Sequence, residues 1–148
     1  MSETKDLLLA VDQGTQSVRA MIFDLSGELV AKSQVHITPY YSRAPGWAEQ
    51  DCDYYWANLC HATNELWRAH PDLKSRVAAM AVTTQRAVVV VLDETGEPLR
   101  PAIGWLDQRR TKRYPPLPLW LEAGLRAVGQ RRTVHFFQSK AECNWLAA

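Results

Sequence analysis

The chain opens its apolar pattern with a short uninterrupted run, Leu7-Leu8-Leu9-Ala10-Val11, which stops at Asp12-Gln13-Gly14-Thr15. The run predicts a buried strand, and the polar residues with glycine predict a turn. Residues 18–24, rich in β-branched and aromatic side chains, predict a second strand. Asp24-Leu25-Ser26-Gly27 is a second turn, and residues 28–37 alternate as a third strand. Three strands joined by short turns predict an antiparallel meander at the start of a sheet.

The period then changes. Residues 40–51 form a predicted loop carrying Pro45-Gly46-Trp47, with Asp51 or Asp53 available to cap a helix. Trp56, Leu59, Cys60, Thr63, Leu66 and Trp67 recur at helical spacing and predict one apolar face. That helix should end near His70-Pro71. Residues 77–82 and 87–92 predict two buried strands, Asp93-Glu94-Thr95-Gly96 a turn, and residues 99–105 a returning strand. The order of strands, helix and further strands predicts an α/β domain with a mixed sheet and flanking helices.

After Trp105 the pattern weakens. Pro115, Pro116 and Pro118 interrupt regular structure, residues 119–128 predict a short helix ended by Gly129, and Ser139 with Glu142 resembles a capping box opening another helix.

Composition narrows the class. The 148 residues suit one domain, with 47% hydrophobic and 22% charged residues as in soluble globular proteins. A formal net charge of +1 supplies no global field toward nucleic acid or anionic membrane. The run of residues 7–11 is too short for a signal-peptide core or a membrane span. Three cysteines without C-x-x-C spacing argue against a disulfide framework or zinc site and suit a reducing cytoplasm. Arg109, Arg110, Lys112 and Arg113 form a basic cluster, but no groove-reading motif accompanies it, so no nucleic-acid partner is expected. The four histidines are scattered and carry no metal or triad spacing.

Chemistry enters at the first turn. Gly14 lets a phosphate approach the backbone, amides from Gly14 to Ser17 can form an anion nest, and the Thr15 and Ser17 hydroxyls add donors. Asp12 can hold a metal ion through water, and Arg19 shares a strand face with Ser17 and adds positive charge. An ordinary hairpin turn, in which Asp and Gly serve only the backbone, explains the same six residues equally well.

Four segments bear on that choice. They are Ala10-Val11-Asp12-Gln13-Gly14-Thr15-Gln16-Ser17-Val18-Arg19; Pro45-Gly46-Trp47-Ala48-Glu49-Gln50-Asp51 with Trp56; Ala81-Val82-Thr83-Thr84-Gln85-Arg86; and Pro101-Ala102-Ile103-Gly104-Trp105-Leu106-Asp107-Gln108-Arg109. In this order they resemble the FGGY carbohydrate kinases, a family that includes glycerol kinase and xylulokinase. The resemblance runs from residue 7 to about 111, and more weakly to 146. It implies part of an actin-like, hexokinase-like (ribonuclease H-like) ATPase domain. Residues 1–148 would be an incomplete N-terminal, sugar-binding domain, with the ATP-binding domain and the aspartate base lying beyond residue 148.

The resemblance also implies roles. Asp12, Gly14, Thr15, Gln16, Ser17 and Arg19 would bind the phosphates of ATP, with Asp12 holding Mg²⁺ through water. Arg86, Trp105 and Asp107 would contact the sugar or polyol. Where glycerol kinase has a glutamate after the arginine, this chain has Ala87, whose side chain accepts no hydrogen bond. Ala87 and Asp107 thus point toward a pentose, pentulose or related polyol. Glu122 and Glu142 lie outside the matched segments and are not expected to act as base. The expected function is that of the N-terminal part of an ATP-dependent carbohydrate kinase, inactive as this chain alone. The alternative is a non-catalytic product serving as a binding module. Residues 87–92 carry no charge and invite self-association.

Overall fold

A computed structural model describes residues 4–141 and 146. The chain forms two compact units, one of Met1–Tyr41 with Glu49–Trp105, the other of Ser42–Ala48 with Leu106–Ala148.

The first unit is built on a four-stranded sheet of β1 (Leu7–Gln13), β2 (Ser17–Asp24), β3 (Leu29–His36) and β5 (Val77–Thr83), in the order β3-β2-β1-β5. The meander expected from the turn residues is present: β1 pairs antiparallel with β2, and β2 with β3. β5 returns parallel to β1, which makes the sheet mixed. Alternation decides the faces. Leu7, Leu9 and Val11 of β1 and Val18, Ala20 and Ile22 of β2 are buried. Asp12 therefore projects to the opposite face from this core, and Gln13 to the core face.

The core is closed by α1 (Cys52–Ala69), which packs across β2 and β3. Ala62 and Leu66 are buried at the centre of its inward face, with Tyr54, Leu59 and Trp67 beside them. Trp56, expected on that face, is 67% exposed. It lies about a quarter-turn from the Leu59-Ala62-Leu66 line, so the helical spacing was real but its centre was displaced. Asp51 holds the N-cap position without a side-chain cap bond. The helix ends at His70, followed by the 3₁₀ turn Pro71–Arg76.

Two turns share one chemistry. Asp24 Oδ1 accepts the amides of Ser26 and Glu28 at 2.9 Å each, and Asp93 Oδ1 accepts those of Thr95 and Glu97 at 2.8 and 2.9 Å. In each, the fourth residue is a glycine with positive φ, Gly27 (87°) and Gly96 (89°), a conformation that costs glycine little.

Beyond β5 the expectations need correction. Residues 77–82 do form a strand, but it stands at the sheet edge and is exposed from Ala78 onward. Its apolar pattern does not distinguish an edge from a buried centre. Residues 87–92 do not form a continuous strand. Val89 exchanges both backbone hydrogen bonds with Ile103 (3.0 and 2.9 Å), and the Leu99 amide donates to Val91 O at 2.9 Å. Ala87, at φ 53°, leaves extended geometry where the strand would have begun. The returning strand shrinks to β6 (Ala102–Ile103), which pairs with β4 (Glu49–Gln50) inside the segment expected to be all loop.

The second unit contains α2 (Leu119–Ala127) and α3 (Arg131–Lys140), separated at Gly129, whose φ is 71°. Ser139 lies in the last turn of α3, its hydroxyl donating to Phe136 O at 2.7 Å, so it does not open a helix. Glu142 and Trp145 of that expected helix lie outside the described residues. Glu122 is ion-paired with Arg131, and His135 bridges Glu122 (3.2 Å) and the Tyr114 hydroxyl (3.1 Å). No helix among the described residues is long and apolar enough to cross a membrane.

Candidate functional site

The sheet register brings the first and third of the four segments together. Asp12, near the end of β1, stands opposite Arg19 on β2 and Thr83 on β5. Both neighbours bond its carboxylate: Arg19 Nη1 donates to Oδ2 at 2.8 Å and Thr83 Oγ1 to Oδ1 at 2.9 Å. Strands on both sides thus hold one anion in a fixed orientation, partly open to solvent.

The turn itself is tight. The Gly14 amide donates to Ser17 O at 3.0 Å. A Cβ at Gly14 would stand 2.8 Å from that carbonyl oxygen, so no other residue fits without moving backbone. This corrects the expected nest, because the Gly14 amide is engaged inside the turn and does not face outward. Ser17 is buried at the start of β2. Among the described residues, the amides of Thr15 and Gln16 have no backbone acceptor, and the Gln16 side chain is exposed.

Gln85, two residues past the end of the neighbouring β5, fastens this turn. Its Nε2 donates to Gly14 O at 3.0 Å, and the Thr15 hydroxyl approaches its Oε1 at 3.5 Å. Trp105 Nε1 points at Thr15 Oγ1 across 3.4 Å, and the indole is 47% exposed. The third segment contains Thr83 and Gln85, and nothing in their local sequence marks a role for either. The signal that could have found them is topological: in open α/β sheets, ligands collect at the carboxyl ends of parallel strands, where β1 and β5 both end.

The other sugar candidates separate. Arg86 is exposed in the turn after β5 and meets none of the other candidates among the described residues. Asp107 belongs to the second unit and is 4% exposed. Its Oδ2 accepts the Ala48 amide (2.9 Å) and Arg109 Nη2 (2.7 Å), and its Oδ1 accepts the amide and Nε of Arg109 (2.9 Å each). Burial opposes its ionisation, but the bonds from Arg109 and the Ala48 amide outweigh burial and hold the carboxyl below its ordinary value. The Arg109 guanidinium also lies 4.2 Å from the Trp47 ring centre, and that of Arg110 4.5 Å from the Phe136 ring. Arg109 and Arg110 of the basic cluster therefore have structural contacts within their own unit.

No group of three His, Cys, Asp or Glu side chains among the described residues could hold a metal directly. Each Asp12 oxygen accepts one hydrogen bond and keeps a lone pair, so this single carboxylate is compatible with a Mg²⁺ ion that takes its other ligands from phosphate and water.

The second and fourth segments also meet. Glu49 pairs with Ile103 and Gln50 with Ala102, and the buried Glu49 carboxylate is ion-paired with Arg100. The model of the N-terminal domain of FGGY carbohydrate kinases matches residues 7–120. This chain belongs to that family. Glycerol kinase of Petrotoga mobilis is 38% identical over 106 residues, which is 71% of this chain and 21% of the relative. The xylulose kinase structure from Rhodospirillum rubrum matches with TM-score 0.65 and 31% identity, over 82% of this chain and 23% of that one. Plasmodium falciparum glycerol kinase, solved with ADP, matches with TM-score 0.59 and 30% identity, over 72% of this chain and 21% of that one. The sheet and α1 are thus part of the actin-like ATPase fold of these FGGY kinases. The chain spans about one fifth of the length of the curated relatives it matches.

Proposed function

We propose that this chain forms the phosphate-contacting part of an ATP-dependent carbohydrate kinase. The observation that carries the reading is the Asp12 carboxylate, held by Arg19 and Thr83 from two different strands beside a turn that only glycine fits. A fixed anion, a nearby guanidinium and turn amides with no backbone acceptor suit a metal–phosphate complex, where catalysis depends chiefly on positioning and charge. Thr15 and Gln16 would donate to phosphate oxygens, and Arg19 would offset their charge. Asp12 would hold Mg²⁺ through water; when bound, the ion neutralises charge on the β- and γ-phosphates.

On the sugar side, Trp105 offers a partly exposed ring for C–H faces and Arg86 a free-standing donor group. Asp107 would act by positioning Arg109 and the segment around Ala48, because its oxygens are already bonded. Ala87 supplies no side-chain acceptor beside Arg86, which favours a pentose, pentulose or related polyol over glycerol.

The test is nucleotide binding by the 148-residue chain. Isothermal titration with Mg·ADP should give measurable binding that Asp12→Asn weakens at least tenfold. Equal binding by both proteins, or none by the parent, would overturn the reading.

A further inference from the structure

α2 turns an apolar face to solvent. Leu119, Trp120, Ala123, Gly124, Ala127 and the C-cap Val128 are all exposed, Leu119 at 88% and Trp120 at 75%. At helical spacing they fall within about half of the circumference, and no charged side chain interrupts them. The half-buried Leu121, Glu122 and Leu125 take the other side. α3 adds the exposed Phe136 and Phe137. Apolar surface concentrated in this way marks an interaction face.

The charges of the same unit point to the partner. The near-zero net charge of the chain conceals an uneven split. The second unit holds nine Lys and Arg against three Asp and Glu, and the first unit eight against thirteen. Asp107 is buried and paired with Arg109, and Glu122 is half-buried between Arg131 and His135. Among the described residues, every exposed charge of the second unit is therefore basic, including Lys112, Arg113, Arg126 and Arg132. Arg126 follows Leu119 by seven residues, which sets it about 20° away on the helix, at the edge of the apolar arc. Arg132 and Phe136 are four apart on α3 and share a face, and the Arg110 guanidinium lies 4.5 Å from the Phe136 ring.

We propose that α2 and α3 form a docking surface for an anionic lipid membrane. The apolar face of α2 enters the boundary between headgroups and acyl chains, and the basic side chains meet lipid phosphates and carboxylates. Leu119, Ala123, Ala127 and Val128 carry no hydrogen-bonding group and no ring to stack, so they gain from burial in lipid and nothing from nucleotide bases. Trp120 suits the boundary, with an apolar ring and one N–H for the headgroup layer. The contact is peripheral, because nine residues of α2 cannot span a bilayer. It stands apart from the Asp12 turn, which belongs to the first unit, and does not rest on the carbohydrate-kinase reading. Each basic residue near an anionic surface changes partitioning by about fivefold.

The test is co-sedimentation of the 148-residue chain with phosphatidylcholine vesicles, with and without phosphatidylserine at about one lipid in three. The chain should bind the anionic vesicles at least tenfold more tightly than the neutral ones, and added salt should weaken that binding. Trp120→Ser, and separately Arg126→Glu with Arg132→Glu, should each weaken it at least tenfold. Lys32→Glu, an exposed charge reversal on the first unit, should bind within a factor of about two of the parent, because its charge lies outside the docking unit. No binding to anionic vesicles, equal binding to neutral ones, parent-like binding by either variant, or an equal loss in Lys32→Glu overturns the inference. If Trp120→Ser does not fold, the more exposed Leu119→Gln decides: a severalfold loss supports the surface and no change overturns it. A dimer that Trp120→Ser dissolves, without vesicle capture, gives the face to a second copy and overturns the proposal, as does binding to poly(U) without vesicle capture. Because the chain spans about one fifth of its curated relatives, the longest natural product containing it is assayed in parallel. Capture of the 148-residue chain but not of that product gives the face to the kinase interior and overturns the inference.

Discussion

Asp12 and Asp107 are the same residue type in matched segments of one family, yet their surroundings assign them different work. Asp12 is partly exposed and braced by one donor from each neighbouring strand. Asp107 is buried, and among the described residues the bonds to its carboxylate come from Ala48 and Arg109. Its folded pKa is depressed. The stability it contributes is therefore full above the unfolded value, about 3.9, and is lost as pH falls through the folded value. Asp107→Asn should destabilise the chain by about 2 kcal/mol at neutral pH, with the gap to the parent closing toward pH 3. Urea melts at pH 7 and pH 3 would read this, and a gap that stays constant with pH would refute it. The segment around Asp107 was legible in the sequence as chemically special. Its partner was not, because the Ala48 amide lies 59 residues earlier and only folding brings it near.

At the scale of elements, β1 to β3, α1 and α2 were legible because their signals are local: period two, period 3.6, and turns built on Asp24, Gly27 and Gly129. Residues 87–92 misled, since a β-branched composition says nothing about whether pairing partners are in register. The structure moves the self-association hazard to β5. Val77–Thr83 carries no charge or proline, pairs among the described residues with β1 alone, and leaves Met80 63% exposed. Such an edge is a template for further strands. Sedimentation velocity should show association of the parent chain growing with concentration, and Ala81→Lys should reduce it without changing the far-UV spectrum. A parent that stays monomeric across that range would refute the expectation.

For the whole molecule, phosphoryl transfer needs a base and positioned phosphates together, and this chain covers about one fifth of its kinase relatives. The 148-residue chain should consume no ATP in a sugar-dependent coupled assay, even where it binds Mg·ADP; sugar-dependent turnover would refute this. By itself the sequence determined the family, the strand-turn-strand at Asp12 to Ser17 and the main helix. Those follow from residue spacing and turn chemistry over a few positions. Tertiary structure alone decided that Thr83 and Gln85, some 70 residues away, secure that turn. It also decided that the Gly14 amide is bonded inside the turn, that the Asp107 oxygens are bonded to Ala48 and Arg109, and that the Gln13 side-chain amide has no partner among the described residues. Burial and hydrogen-bond pairing depend on which strands lie side by side, and no local pattern records that.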